Sequence, residues 1–302
     1  MKILILGSEG FIGRHLAESA TKQGWSVVGC DLIEAGATAY QYHKISLLSA
    51  DLELLFSEHE YDFCINAAGS GSVPYSLTHP LSDFEANVSS VIHVLEAIRR
   101  SNPSCCYLHI SSAAVYGNPG QLPIKESDPL GPLSPYGWHK KISEQLCLEY
   151  FQQFGIRSAI TRPFSVYGPG LRKQLFWDVC QKLLKAQGSL ELWGTGKESR
   201  DFIYVEDLVQ AIWSILEKGE MQAEIYNVAT GVETTIEDVV RLFVEALKKD
   251  VKVIFNQKVR PGDPLHWRAD ISRLSDLGFS PRFSLGGGIE ATAKWISAFS
   301  QQ

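Results

Sequence analysis

The sequence predicts an α/β protein built on a doubly wound parallel sheet, with a second, smaller lobe toward the C-terminus. Three observations predict it. Short apolar runs alternate with helix-length amphipathic segments over the first 165 residues, the rhythm of a parallel sheet wrapped by helices. The first run, Lys2–Leu6, leads at once into Gly7, Gly10 and Gly13 at a spacing of three. From Arg162-Pro163 onward the alternation gives way to a Pro/Gly-rich passage (VYGPGLRKQ) and irregular spacing. At 302 residues and 45% hydrophobic, the chain can build one large domain or two unequal ones.

Lys2–Leu6 (KILIL) is the apolar run expected of a strand buried on both faces. The glycines after it allow a sharp turn and a close approach of backbone to phosphate, where any Cβ would collide. A helix beginning there would aim free N–H groups and its positive end at that phosphate. A bare strand–helix turn would use the same glycines. The strand before, the helix after and the N-terminal position favour a dinucleotide site formed by Gly7, Gly10, Phe11, Ile12 and Gly13. Trp25–Cys30 is a second strand ending in Asp31, with Leu32 beside it, about twenty positions past the glycine turn. A carboxylate there accepts hydrogen bonds from an adenosine ribose and repels a 2′-phosphate, so NAD is expected and NADP disfavoured.

Residues 33–48 carry little pattern beyond a weak third strand near Tyr42–Ile45. Ser49 is placed to cap a helix to His59, and Tyr61–Asn66 is a strand ending in Ala67-Ala68-Gly69, residues small enough for a flat ring to lie against backbone. Gly69–Val73 reads as a flexible loop, Pro80–Arg100 as a long helix carrying Asn87, and Cys105–Ile110 as a fifth strand ending in Ser111-Ser112. A long loop rich in proline and glycine precedes Ser134-Pro135-Tyr136, the start of a helix to about Phe154; Arg157–Thr161 is a sixth strand. Beyond it come a helix at Leu175–Ala186, a glycine turn at Gly194–Gly196, a strand turning into a helix over Phe202–Leu216, and a strand at Glu224–Val228. The last two are expected to return to the sheet. Thr234 and Glu237 fit capping-box spacing, and a final helix ends near Phe299. The expected division is 1–168, with 201–230 returning to it, against a smaller lobe of 169–200 and 231–302, with a ligand cleft at the strand C-termini.

A net charge of −6 without a long basic run argues against nucleic acid or an anionic membrane as partner. No apolar run approaches a membrane span and none resembles a signal peptide, so a cytoplasmic location is expected. Cysteines 30, 64, 105, 106, 147 and 180 lie mostly in apolar stretches and are expected as buried reduced thiols. Neither they nor the eight histidines have metal-ligand spacing, so no metal site is expected. Trp193, Trp213 and Trp295 stand in apolar-periodic contexts and are expected in the core.

Tyr136 and Lys140, four apart on a helix, share one face. A phenol with a pKa near 10 is a poor base at neutral pH. A neighbouring ammonium, together with a positively charged nicotinamide, favours the phenolate. Such a pair takes a proton from a hydroxyl while hydride leaves the same carbon. Tyr-x-x-x-Lys is common by chance; it acquires meaning beside the glycine turn and the strand-end Ser112, whose hydroxyl would hold the reacting oxygen. His139 points away from that face and is expected to be structural.

Together these motifs resemble the extended short-chain dehydrogenases/reductases of the NAD-dependent nucleotide-sugar epimerase/dehydratase family, of the UDP-glucose 4-epimerase type. The likeness rests on Gly7–Gly13, Asp31, Asn66–Gly69, Asn87-Val88, Ser111–Gly117, Tyr136–Lys140, Arg162-Pro163, Val166–Gly170, Arg200–Asp207, Asn227–Ala229 and Arg260–Asp263, in family order over nearly the whole chain. It implies a Rossmann-type domain with a smaller C-terminal substrate-binding lobe. It also implies Ser112, Tyr136 and Lys140 as the catalytic residues, with Lys140 also on the nicotinamide ribose. Ala67, Ala68 and Asn87 would contact the cofactor, and Pro163 would lie near the nicotinamide carboxamide. Arg200 and Arg260 would grip the diphosphate of a nucleotide sugar, a task that suits planar guanidinium forks; a surface salt bridge is the alternative for each. Ser165, a further substrate contact, stands where many members have Asn. The helices Pro80–Arg100 and Tyr136–Phe154 correspond to those that pair in family homodimers.

Ala113 and Ala114 occupy positions where the family's dehydratases carry an Asp-Glu pair, and its decarboxylases usually have Glu in place of Ala114. Neither alanine moves a proton, so both reactions are disfavoured. What remains is 4-epimerisation of a nucleoside-diphosphate sugar through a 4-keto intermediate, with Tyr136 as acid and base. The alternative is an NAD(P)H-consuming 4-keto reductase. A non-catalytic dinucleotide sensor on the same fold ranks third, because the Tyr136–Lys140 pair is intact beside Ser112.

Overall fold

A computed structural model describes residues 1–34, 39–258 and 265–299. The first six strands are β1 (Lys2–Leu6), β2 (Ser26–Asp31), β3 (Gln41–Lys44), β4 (Phe63–Asn66), β5 (Cys106–Ile110) and β6 (Ser158–Pro163). The next six are β7 (Ser165–Tyr167), β8 (Gly188–Leu192), β9 (Ser199–Tyr204), β10 (Gln222–Val228), β11 (Glu233–Thr235) and β12 (Val251–Phe255). Seven of them form one sheet in the order β10-β6-β5-β4-β1-β2-β3, with every pairing parallel. The doubly wound sheet is therefore as the sequence predicts.

Alternation along β1 explains both of its covered faces. Ile3 and Ile5 enter a core with Leu16 and Ala17 of the helix Phe11–Lys22 and with Ile212 and Trp213 of Val205–Lys218. Leu4 and Leu6 face the other way, onto Val94, Leu95 and Ile98 of Ser90–Ser101 and Cys147 and Tyr150 of Pro135–Phe154. The strand order reverses between β1 and β4, which opens a crevice at their C-terminal ends where Gly7 and Ala67 stand.

Three elements differ from expectation. The span Pro80–Arg100 is not a uniform helix: α-helical Pro80–Phe84 and Ser90–Ser101 flank a π turn at Glu85–Ser89, which holds Asn87. Such turns are uncommon and recur at functional sites. In the expected loop, Ser72 caps a short helix, Val73–Thr78, accepting a bond from Tyr75 N at 3.3 Å. The strand at the head of Phe202–Leu216 does not return to the main sheet; β9 lies between β7 and β11 in a separate sheet. The edge of β6 that would receive it is taken by β10, whose return is as expected.

The parallel pair β8–β12 and the helices Gln174–Lys185, Ile236–Ala246 and Leu285–Phe299 belong to a separate core around Phe176, Phe243 and Ile296. The cap of Ile236–Ala246 falls one residue later than predicted: Thr235 accepts from Asp238 N at 3.1 Å and donates to its carboxylate at 2.7 Å. Trp213 is buried and Trp295 packs on the core of Phe176, Phe243 and Ile296, but Trp193 is 50% exposed, against Lys258. All six cysteines are buried free thiols. Among the described residues no helix is long and apolar enough to cross a membrane.

Candidate active site

The turn after β1 is made by backbone contact. Gly7 has φ +76°, and a Cβ there would lie 2.6 Å from Ala68 N; one on Gly13 would lie 2.0 Å from Gly7 O. These two glycines thus allow the first helix to seat against the sheet. Gly10 is the N-cap of that helix and offers it no side-chain cap, which leaves first-turn N–H groups at Phe11 and Ile12 for an anion. The Asp31 carboxylate accepts Glu9 N at 3.0 Å and Leu32 N at 2.7 Å, so it also staples the glycine turn to the end of β2.

Across the crevice, Ser112 follows β5 and caps a short turn at Ala113–Val115, accepting Ala114 N at 3.1 Å. The helix carrying Tyr136 begins with Ser134 as N-cap, bonded to Gly137 N at 3.2 Å, and Pro135 in its first turn. A Cβ on Gly137 would lie 2.7 Å from Ala114 O. That close approach, which spacing alone does not reveal, seats the first turn of the Tyr136 helix against the turn that Ser112 caps. Lys140, 5% exposed, donates from Nζ to Ile110 O at 2.9 Å. Its burial brings the ammonium down to about 8. Burial raises the Tyr136 phenol above its ordinary range, the nearby Ser112 hydroxyl offsets part of this, and the Asp83 carboxylate raises it further.

Asn87 donates to Asp83 O at 3.1 Å, while its buried Oδ1, facing Gly69, has no partner among the described residues. An orphaned buried acceptor beside Ala67 and Ala68 fits a bound cofactor that supplies the donor. Pro163 ends β6 opposite Val228, at the same end of the sheet. Ser165 opens β7, paired with Phe202 of β9. In β9, Arg200 donates to Ser199 O at 2.8 Å and lies over the Trp267 ring at 5.6 Å, so carbonyls and an aromatic face orient its guanidinium. Arg260 lies outside the described residues.

Two features were not legible beforehand. Glu144, one turn beyond Lys140, accepts Ser111 Oγ at 2.5 Å and a bidentate pair from Arg162 at 2.9 and 2.7 Å. Arg162 also reaches the Tyr116 hydroxyl at 2.8 Å, which donates to Asn227 Oδ1 at 2.7 Å. His139 donates to the wholly buried Asp83 at 2.6 Å. In neither case do the partners share an element, so no periodicity connects them.

Residues 3–229 match the model of the NAD dependent epimerase/dehydratase family. The chain belongs to this family. It is 32% identical over 320 residues to an uncharacterized UDP-glucose epimerase of Bacillus subtilis, covering 100% of this chain and 99% of that one. Among solved structures it resembles a UDP-N-acetylglucosamine 4-epimerase from Methanobrevibacter ruminantium in complex with UDP-N-acetylmuramic acid, with TM-score 0.90, 27% identity and coverage of 100% and 99%. It equally resembles a UDP-glucuronic acid 4-epimerase from Bacillus cereus in complex with UDP-glucuronic acid and NAD, with TM-score 0.90, 29% identity and coverage of 99% and 100%. Within the family frame, Ala113 is fully buried and Ala114 partly so, and the turn they form supplies no second proton carrier.

Proposed function

We propose that this chain is an NAD-dependent 4-epimerase of nucleoside-diphosphate sugars, acting through a 4-keto intermediate. The observation that carries the reading is the close seating of the Tyr136 helix on the turn that Ser112 caps, where Gly137 meets Ala114 O and the two turn residues Ala113 and Ala114 carry no proton-transferring group. NAD, when bound, supplies a reversible hydride acceptor. Gly7, Gly10, Phe11, Ile12, Gly13, Asp31, Leu32, Ala67, Ala68, Asn87, Lys140 and Pro163 would hold it. Ser112 orients the sugar O4, Tyr136 removes its proton and later returns it, and the Lys140 ammonium favours the phenolate between those events. Arg200 and Arg260 hold the diphosphate while the sugar turns over; Ser165 completes the substrate contacts.

A homodimer is part of this reading. Leu81 (69% exposed) and Trp138 (50%), with Ile142 and Phe154, leave apolar surface on the helices expected to pair. Six buried, free thiols suit a reducing cytoplasmic compartment.

The test is incubation with UDP-, GDP-, CDP- and dTDP-sugars, with products followed by NMR. C4 epimers should interconvert without net NADH. Stoichiometric NAD(P)H oxidation would replace the reading with the 4-keto reductase, and dinucleotide binding without turnover of any sugar would favour the sensor.

Two further results are expected. Gly13→Ala, whose Cβ has no room against Gly7 O, should weaken NAD by about tenfold or more in calorimetry. Retained affinity would show that the turn does not bind phosphate. Asp31→Asn removes the charge that opposes a 2′-phosphate and should raise NADP affinity relative to NAD by about tenfold, measured by the same titration.

A further inference from the structure

The segment after β7 touches both sides of the dinucleotide crevice. On one side is the first helix, where His15 Nε2 donates to Pro169 O at 2.9 Å and a Cβ on Gly170 would lie 3.4 Å from Phe11. On the other is the loop after β4, where Gln174 Nε2 donates to Gly71 O at 3.4 Å. A Cβ on Gly71 would lie 3.4 Å from Lys173 Nζ. Residues 169–174 therefore span the crevice at the C-terminal ends of β1 and β4. Gln174 holds φ +67°, a conformation costly for a residue with a side chain and kept where surrounding contacts fix it.

Local structure gives no reason for a cation at Lys173. The residue is the N-cap of the helix Gln174–Lys185, whose first turn has no acidic residue and no side-chain cap. An ammonium is unfavourable at the positive end of a helix and cannot accept from the free N–H groups there. Lys173 is exposed, yet surrounding protein holds its ammonium below the ordinary range, with no carboxylate opposing the shift. A cation both accessible and hemmed in stands in a recess. Across the crevice the first-turn N–H groups of Phe11 and Ile12 also lack a side-chain cap. The carboxylates at the glycine turn are committed elsewhere. Glu9 accepts from Arg14 at 2.9 Å and Tyr40 at 3.0 Å, and Asp31 accepts from the backbone of Glu9 and Leu32. Positive groups border both sides of the gap, and the chain supplies no anion between them.

We propose that Lys173 reaches across the crevice to the diphosphate of the dinucleotide, and that residues 169–174 form a strap holding the cofactor against the glycine turn. The inference rests on the proposed epimerase reading and meets one of its needs. Release of the cofactor between the two hydride steps would strand the keto sugar. An ammonium–phosphate contact is charge-assisted, so it tolerates arginine but not a neutral side chain.

The experiment is calorimetric titration of the full chain with NAD, ADP-ribose and UDP, which requires no sugar turnover. Lys173→Gln should weaken NAD and ADP-ribose by about tenfold each, because both carry the adenosine-linked diphosphate, and should leave UDP unchanged. Its NAD affinity should also fall less steeply with added salt, a change that a purely structural role would not produce. Lys173→Arg, which keeps a cation in place, should retain most of the NAD affinity. Unchanged NAD and ADP-ribose affinity in Lys173→Gln overturns the proposal. A loss confined to UDP overturns it too, by assigning the ammonium to the substrate's diphosphate. If the unmodified chain binds neither NAD nor ADP-ribose, the epimerase reading falls and the proposal with it. Where NAD binds and no sugar is turned over, only that reading falls, and the titration still decides the role of Lys173.

Discussion

Tyr136→Phe is expected to lower kcat for C4 inversion by about 10²–10⁴-fold, the usual contribution of a positioned general acid–base. The substitution removes one hydroxyl and leaves the ring in place. KM should change little, because the diphosphate grip is proposed for Arg200 and Arg260 and not for Tyr136. Burial raises the free phenol, so forming the phenolate needs positive charge, which the Lys140 ammonium and a bound nicotinamide are proposed to supply. Lys140→Met should accordingly depress kcat as well, but should also weaken NAD, because Lys140 is the expected ribose contact. Initial rates on the accepted sugar and NAD titration separate the two effects. Full activity in Tyr136→Phe would dismiss the catalytic assignment.

Glu144→Ala should be the most destabilising single change at the site, by about 3–5 kcal/mol, because it strands a guanidinium in the interior. The side chains of Arg162 and Glu144 are 2% and 1% exposed, so water cannot replace the lost carboxylate. Removing it also releases Ser111, the neighbour of Ser112, from its 2.5 Å bond. Stability and turnover should therefore fall together, as read by urea denaturation and by rate. Glu144→Gln keeps one acceptor oxygen for Arg162 and should cost less than Glu144→Ala. An Ala variant as stable as the unmodified chain would mean that Tyr116 and the Glu126 carbonyl, which Arg162 also touches, suffice to hold the cation.

Much of the site was legible because its residues act through local geometry. Gly7, Gly10 and Gly13 declare a strand–helix turn by spacing. Ser134-Pro135 declares a helix start, and the i, i+4 relation places Tyr136 and Lys140 on one face. Other features were hidden because no local rule encodes them. Gly137 looks like an ordinary helix residue until Ala114 O is found 2.7 Å from where its Cβ would be. The π turn at Asn87 leaves no mark that hydrophobic periodicity detects. The strand character of β9 was readable, but its sheet was not, since that depended on β10 having taken the edge of β6.

The sequence by itself determined the doubly wound fold, the glycine turn after β1, the pairing of Tyr136 with Lys140 and the absence of a second proton carrier at Ala113 and Ala114. Each follows from residue type and short-range period. Only the tertiary structure decided that Asp83 meets His139, 56 residues away, and that Glu144 joins Ser111 to Arg162. Those partners are set by which faces pack together, and burial then makes each such meeting matter, because an interior charge without its partner costs several kcal/mol.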